Sequence, residues 1–352
     1  MRMRVELHEV AAALVAPGKG ILAADESGGT IKKRFDAIEL ESTEESRRAY
    51  RELLFTAPGV EASLSGVILF DETIRQSSSA GEPFATLLAG RGIMPGIKVD
   101  KGAKPLAGAA DETITEGLDG LAERFEEYVG LGARFAKWRA VIAIGDGRPS
   151  EYAVWTNAHA LARYAALAQA AGLVPIVEPE VLMDGAHTIE ESFHVTSRVL
   201  HAVYTELRDQ RVELEGTLLK PNMVLSGYDC PTQASDDEIA ELTLRCLRRH
   251  VPPAVPGIVF LSGGQGDEQA TARLDATNRR GPQPWELSFS FGRALQGPVL
   301  EAWQGQPALV EEAQRALLHR AECNRAARNG RYTPALEGEN VATSEHFAAG
   351  EH

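Results

Sequence analysis

The chain is short of cysteine, of positive charge, of long apolar runs and of linker sequence, and each shortage closes off a class of protein. Three cysteines among 352 residues, Cys230, Cys246 and Cys323, are odd in number and show no CxxC spacing. That argues against a disulfide framework and suits a reducing, cytoplasmic compartment. Cys246 reads as a helix core residue and Cys230 as a loop residue, neither as a thiol nucleophile. Lys and Arg number 36 against 50 Asp and Glu, a formal net charge of −14. Such a chain repels nucleic acid and anionic membranes at long range, so neither is expected as a partner. No apolar run reaches the roughly 18 residues of a membrane span. Arg2 and Arg4 precede the run Val10 to Ala16 in the manner of a signal peptide. That run holds seven residues, and His8 and Glu9 interrupt the approach to it, so the segment reads as the first helix. No internal repeat and no Ser/Gly linker divides the chain. One domain over 1–328 is expected, followed by a mobile tail, 329–352, rich in small residues.

What is present is a soluble globular composition, 44% apolar and 24% charged, in a chain long enough to bury a large core without a disulfide or a metal. Eight apolar or β-branched runs stand out: GILAAD (20–25), GVILF (66–70), GIKVD (96–100), FAKWRAV (135–141), VPIVEPE (174–180), GTLLKPN (216–222), GIVFLSG (257–263) and WELSFSFG (285–292). Longer amphipathic stretches separate them. Thr43 heads one as an N-cap, with Ser46 rather than Glu at the third following position, so no full capping box is expected. Ser150 opens another, which ends at Gly172. Asp236 and Asp237 start a third that ends near Arg249, acidic end first and basic end last. Eight strands alternating with helices predict a parallel sheet with crossovers, and the count and length fit a (β/α)8 barrel. The rival, a doubly wound open sheet, usually carries GxGxxG after its first strand; here that position reads ADESGG.

Several strand runs carry charge where apolar residues are expected. Strand side chains alternate faces, so Lys137 shares a face with Arg139, Glu178 with Glu180, and Lys220 with Leu218. Asp25 and Lys98 hold similar late positions. Barrel sites form at the C-terminal strand ends, and burying so many charges without a purpose is costly. The inward candidates are Lys98, Lys137, Lys220, Arg139 and Arg293 against Asp25, Glu178 and Glu180, with Asp100 as a possible fourth anion. The excess of cations predicts an anionic ligand. The run LSGGQGDEQA places Ser262, Gly263 and Gly264 between a strand and a helix start, where backbone N–H groups can approach an anion. Arg293 follows the eighth run and can grip phosphate with two bonds. Lys98 and Arg139 lie far around the ring, so two positive poles suit a ligand with a phosphate at each end. Lys220 either pairs with a glutamate or acts as a nucleophile. In the second case burial and the charge of Lys137 help it shed its proton. A neutral amine attacks a ketone to form an iminium, an electron sink for breaking the adjacent carbon–carbon bond. Glu178, Glu180 and Asp25 would then move protons.

The segments GKGILAADES, GVILF, GIKVDKG, PLAG, LDGL, FAKWR, VPIVEPE, LEGTLLKPNMV, VPPAVPG, FLSGGQ and GRALQ, in order from about residue 18 to 334, closely resemble class I fructose-bisphosphate aldolases. The resemblance spans about nine-tenths of the chain. It implies a (β/α)8 barrel, typically a homotetramer, that reversibly cleaves fructose 1,6-bisphosphate to dihydroxyacetone phosphate and glyceraldehyde 3-phosphate in glycolysis and gluconeogenesis, with no metal or cofactor. It implies Lys220 as the Schiff-base lysine and Asp25 as the base for the C4 hydroxyl. Glu178 would be the acid/base for carbinolamine dehydration, with Glu180 supporting the lysine and Lys137 beside it. Ser262, Gly263 and Arg293 would bind the C1 phosphate. Lys98 and Arg139, with Ser27, Thr30 and Arg34, would bind the C6 phosphate. Many members end in a tyrosine that exchanges the enamine proton. This chain ends SEHFAAGEH; Phe347 lacks a hydroxyl and Tyr332 lies earlier. The protonating group, and the preference between bisphosphate and monophosphate, therefore stay open. Phe291 stands where a tyrosine is common.

Three other readings compete. A metal-dependent aldolase would need a histidine cluster, and His187, His194 and His201 recur every seven residues near Glu190. A different Schiff-base barrel would take another phosphorylated ketose. A scaffold that only binds sugar phosphates would have lost turnover.

Overall fold

Successive strand–helix units wind the chain into a closed parallel barrel, in a computed structural model that describes residues 2–338, with side chains from residue 6. The strands are β1 (Gly20–Ala24), β2 (Leu64–Leu69), β3 (Met94–Lys98), β6 (Phe135–Ile142), β7 (Val174–Val181), β8 (Leu218–Leu219), β9 (Gly257–Phe260) and β10 (Glu286–Phe291). Around the ring they run β1-β2-β3-β6-β7-β8-β9-β10 and back to β1. The eight expected strands are these eight. The described core lies in this barrel and between it and the surrounding helices.

Alternation along the strands builds two apolar layers. Ile21, Ala23, Ile68, Phe135, Val174, Ile176, Leu218 and Val259 pack inside the barrel, and Leu7, Val10, Ala11 and Leu14 of the helix Arg2–Leu14 belong to the same cluster. The intervening positions, among them Leu22, Ala24, Leu69, Ile97, Trp138, Val177, Leu219 and Ile258, pack outward against the helices. Both faces of a parallel barrel strand are buried, which is why the runs read as nearly continuous apolar sequence. Inside, Phe135 needs room. A Cβ on Gly96 would come within 2.2 Å of its ring atoms, and one on Gly66 would come within 3.0 Å of the ring and 2.9 Å of Leu14. These two glycines are small because Phe135 is large.

Two features depart from the sequence reading. A short antiparallel hairpin, β4 (Ala103–Pro105) and β5 (Thr113–Thr115), inserts between β3 and β6. Its threonine hydroxyls donate to β6 carbonyls, Thr115 to Arg139 at 2.7 Å and Thr113 to Val141 at 3.1 Å. Three-residue strands are too short to leave a periodic signature. The helix Glu44–Thr56 also has a full capping box: Thr43 Oγ1 accepts from the Ser46 N–H and Ser46 Oγ accepts from the Thr43 N–H. A serine at N3 reaches back as a glutamate would. Ser150 caps the helix Glu151–Ala170 as expected, and Ser235 caps Asp236–His250.

Residues 329–338, expected as the start of a mobile tail, are pinned instead. Tyr332 is buried; its N–H donates to Asp275 at 2.8 Å and its carbonyl accepts from Arg279 at 2.7 Å. The rest of that expected tail, including Phe347, lies outside the described residues. No described helix is long and apolar enough to cross a membrane.

Candidate active site

The inward faces of adjacent strands end in ionisable groups at one mouth of the barrel. Phe135, inside, is followed at alternate positions by Lys137 and Arg139, Ile176 by Glu178 and Glu180, Leu218 by Lys220, and Ala23 by Asp25. Register aligns them: Lys98 stands opposite Lys137, and Arg139 opposite Glu178. Strand β8 stops after Leu219 because Pro221 has no N–H to extend the ladder, while the Lys220 N–H still donates to Val177 O at 2.8 Å. That fixes the backbone from which the Lys220 side chain springs.

One carboxylate joins two amines. Glu178 lies 3.2 Å from Lys220 Nζ through Oε1 and 3.2 Å from Lys137 Nζ through Oε2. Lys137 Nζ is 2.7 Å from Asp25 Oδ2. All four side chains are nearly out of solvent. Burial opposes the charge on Asp25, but the ammonium groups of Lys137, Lys220 and Lys98 outweigh it and hold the carboxyl below its ordinary range. Burial likewise opposes the charge on Lys137, and Asp25, Glu178 and Asp100 outweigh it, so its pKa is raised. Glu180 moves the other way: burial and the neighbouring Glu178 raise it against the pull of Arg139, with which it is paired. Lys98 Nζ binds Asp100 at 2.7 Å, and the other Asp100 oxygen accepts from the Arg139 N–H at 3.2 Å.

Asp100 is buried among these cations, so of the expected excess only the one charge of Arg293 remains. Lys98, Lys137, Arg139 and Lys220 face Asp25, Asp100, Glu178 and Glu180, equal numbers of each sign. Such a cluster is tolerated because each buried charge has an opposite partner. Unmatched positive charge lies at the rim instead, on Arg293.

The rim carries the loop expected to hold an anion. Ser262 is buried after β9, and Gly263 and Gly264 have φ of +59° and +96°, which turn the backbone toward the mouth. A Cβ on Gly264 would lie 2.6 Å from Arg293 Nη2, so only glycine lets this guanidinium lie over the loop. Arg293 is exposed at the first position of the helix Arg293–Trp303. Tyr228, which the sequence did not single out, closes the arrangement. Its hydroxyl donates to Gly263 O at 3.0 Å and lies 3.3 Å from Met183 Sδ, tying the loops after β7, β8 and β9 together. Nothing in the local sequence could reveal this, since the partners lie 45 and 35 residues away.

The first loop is placed differently from the expectation. Ser27 and Thr30 bond to each other at 3.1 Å at the start of the helix Gly28–Asp36. Arg34 is not brought to Lys98 and Arg139. It pairs with buried Glu26, and its Nη2 would lie 3.8 Å from a Cβ on Gly292, beside β10. Glu26 is held in turn by Arg51 at 2.6 Å and by Gln296 at 2.9 Å. The heptad of histidines does not form a cluster. His187 precedes the helix Ile189–Asp209, while His194 edges onto Phe193 and His201 onto Trp155. Phe291 is fully buried. All three cysteines are free and buried, Cys246 in a helix and Cys230 in a loop.

The arrangement offers a buried amine, carboxylates within proton-transfer distance and an anion cradle at the rim. Known proteins resemble the whole chain. A family model described as glycolytic, fructose-bisphosphate aldolase class-I, matches residues 6–352. A probable fructose-bisphosphate aldolase class 1 of Xylella fastidiosa (strain 9a5c) is 57% identical over 93% of this chain and 98% of that protein. A fructose-bisphosphate aldolase of Dictyostelium discoideum is 55% identical over 93% of each. Fructose-bisphosphate aldolase 5, cytosolic, of Arabidopsis thaliana is 54% identical over 98% and 96%. A crystal structure of the Plasmodium falciparum fructose-bisphosphate aldolase, in complex with TRAP and a small-molecule inhibitor, superposes with a TM-score of 0.94 at 51% identity, covering 95% of this chain and 96% of that one.

Proposed function

Because the chain belongs to the class I fructose-bisphosphate aldolase family, we propose that Lys220 is the amine through which it performs the family's Schiff-base chemistry. The protein is a lyase of glycolysis that reversibly cleaves fructose 1,6-bisphosphate to dihydroxyacetone phosphate and glyceraldehyde 3-phosphate. The observation that carries the residue roles is the position of Glu178, 3.2 Å from both Lys220 and Lys137.

In this reading, neutral Lys220 attacks the C2 ketone and forms a carbinolamine. Glu178 delivers the proton with which water leaves, and the iminium remains on Nζ. Asp25, held anionic by Lys137, accepts the C4 hydroxyl proton. The C3–C4 electron pair moves into the iminium, giving the aldehyde and an enamine. Lys137 steadies the charge developing at the C4 oxygen. Glu180, raised by burial, keeps Arg139 in place. The C1 phosphate rests on Ser262, Gly263, Gly264 and Arg293, under Tyr228. The C6 end falls to Lys98 and Arg139 with Ser27 and Thr30. The enzyme works in the cytosol, a reading supported by the relative named cytosolic, and as the homotetramer that the family resemblance implies.

Borohydride reduction in the presence of dihydroxyacetone phosphate tests the assignment. Peptide mapping should find one irreversible adduct, on Lys220. Lys220→Met should lose the adduct and at least about 10³-fold in cleavage rate. An adduct elsewhere, full activity in the variant, or loss of cleavage with a chelator would overturn it.

A further inference from the structure

Away from the barrel mouth, one group of side chains has the composition and spacing of a transition-metal site. The helix Val310–Arg328 carries His319 and Cys323 four residues apart, on one face. The turn Pro334–Gly338 folds back over that face and brings up Glu337. Nε2 of His319 lies 3.8 Å from Cys323 Sγ and 3.4 Å from Glu337 Oε2. The three ligand atoms all lie within 4.8 Å of one another. Tetrahedral zinc, with bonds of about 2.0 Å to N and O and about 2.3 Å to S, separates N from S by about 3.6 Å and N from O by about 3.3 Å. Two edges of the tetrahedron are thus already set to within about 0.2 Å. The third, from S to O, must close to about 3.5 Å.

We propose that His319, Cys323 and Glu337 form a zinc site with its fourth position open to solvent, and that the ion clamps residues 331–338 onto the last helix. The site uses no residue of the barrel mouth. The chemistry of the donors selects the metal: an imidazole and a thiolate favour zinc over magnesium or calcium, which take oxygen. Burial is graded in the right sense. The Cys323 side is closed, whereas His319 and Glu337 keep 21% and 15% of their side chains exposed, leaving a face for water. Tyr332 donates its hydroxyl to Oε1 at 2.8 Å and braces the carboxylate as metal-bound carboxylates are braced; Arg320 pairs with Oε2, the oxygen that faces His319, and has to yield it to the ion.

Arg320 is the obstacle to weigh, since its charge repels a cation. It is anchored independently, by Asp267 O at 3.1 Å and Thr271 Oγ1 at 2.5 Å, with the Asp267 carboxylate 3.9 Å away. Glu337 and a Cys323 thiolate together match the two charges of zinc. On binding, the thiol proton passes to water as the Zn–S bond forms. Uptake of the ion therefore releases a proton.

Cobalt(II) titrated into the full-length reduced enzyme reads the site directly. One equivalent should produce a thiolate-to-cobalt charge-transfer band and the intense visible bands of tetrahedral cobalt, both bleached by zinc. Cys323→Ser should abolish the charge-transfer band, and His319→Gln or Glu337→Gln should weaken cobalt binding at least tenfold, all with wild-type cleavage rates. Zinc should slow tryptic cleavage after Arg331 several-fold. No band at one equivalent, a band that survives in Cys323→Ser, or unchanged affinity in His319→Gln and Glu337→Gln would each overturn the proposal.

Discussion

Asp25 and Lys137 show how a single pair can hold a site ready. Each is buried, and neither would keep its charge there alone. At 2.7 Å each stabilises the other, and Glu178 extends the pairing to Lys220. Removing one member leaves a buried charge under-compensated. Asp25→Asn should therefore lower the cleavage rate by about 10²–10⁴-fold, while borohydride trapping of dihydroxyacetone phosphate on Lys220 persists. Loss of trapping as well would show that Asp25 serves the amine rather than the departing proton. The pair also has a pH signature. Asp25 lies below its ordinary 3.8 when folded, so its contribution to stability is complete above 3.8 and drains away as pH falls from there toward the folded value. Lys137 lies above its ordinary 10.5, so its contribution is complete below 10.5 and fades only at higher pH. Urea unfolding at fixed protein concentration should show the gap between wild type and Asp25→Asn narrowing from pH 7 to pH 3. A constant gap would deny the pair this role.

Among the elements, β3 and β6 meet inside the barrel through a glycine and an aromatic ring. Gly96 has no Cβ because Phe135 fills the space. Gly96→Ala should destabilise the protein by about 1–3 kcal/mol, the usual range for overpacking. The same change in a Phe135→Leu background should be milder, since the smaller side chain can yield. Equal losses in both backgrounds, read from denaturation midpoints, would rule out the clash as cause. The element boundaries legible in sequence were those with local causes. The hydroxyl caps at Thr43 and Ser150 act on N–H groups three residues away. The hairpin of β4 and β5 escaped notice because its support, β6, lies more than 20 residues further along the chain.

For the whole molecule, the acidic surface and the balanced mouth have different work. A net charge of −14 favours solubility, while the charges at the strand ends are paired and Arg293 stands exposed at the rim. The surface also shows aromatic area. Tyr152 and Trp155, three residues apart on the helix Glu151–Ala170, are 51% and 39% exposed. Exposed aromatic surface of this kind suits an interface between subunits. Light scattering should give a mass four times the 38.0 kDa of the chain, and Trp155→Glu should shift it to smaller species. A monomeric mass for the wild type would sink the tetramer.

The order of strands and helices, and the strand positions that carry charge to the barrel mouth, followed from the chain alone. They rest on short-range rules: period-two alternation, caps three residues away, a charge where an apolar residue belongs. Which charges meet was decided only by folding. Asp100 neutralises Lys98, Arg34 turns to Glu26 and the β10 loop, Tyr228 locks the anion cradle, and Glu337 comes back to His319 and Cys323. Each of these depends on loops of different strands arriving at one place, and no local pattern encodes where a loop will arrive.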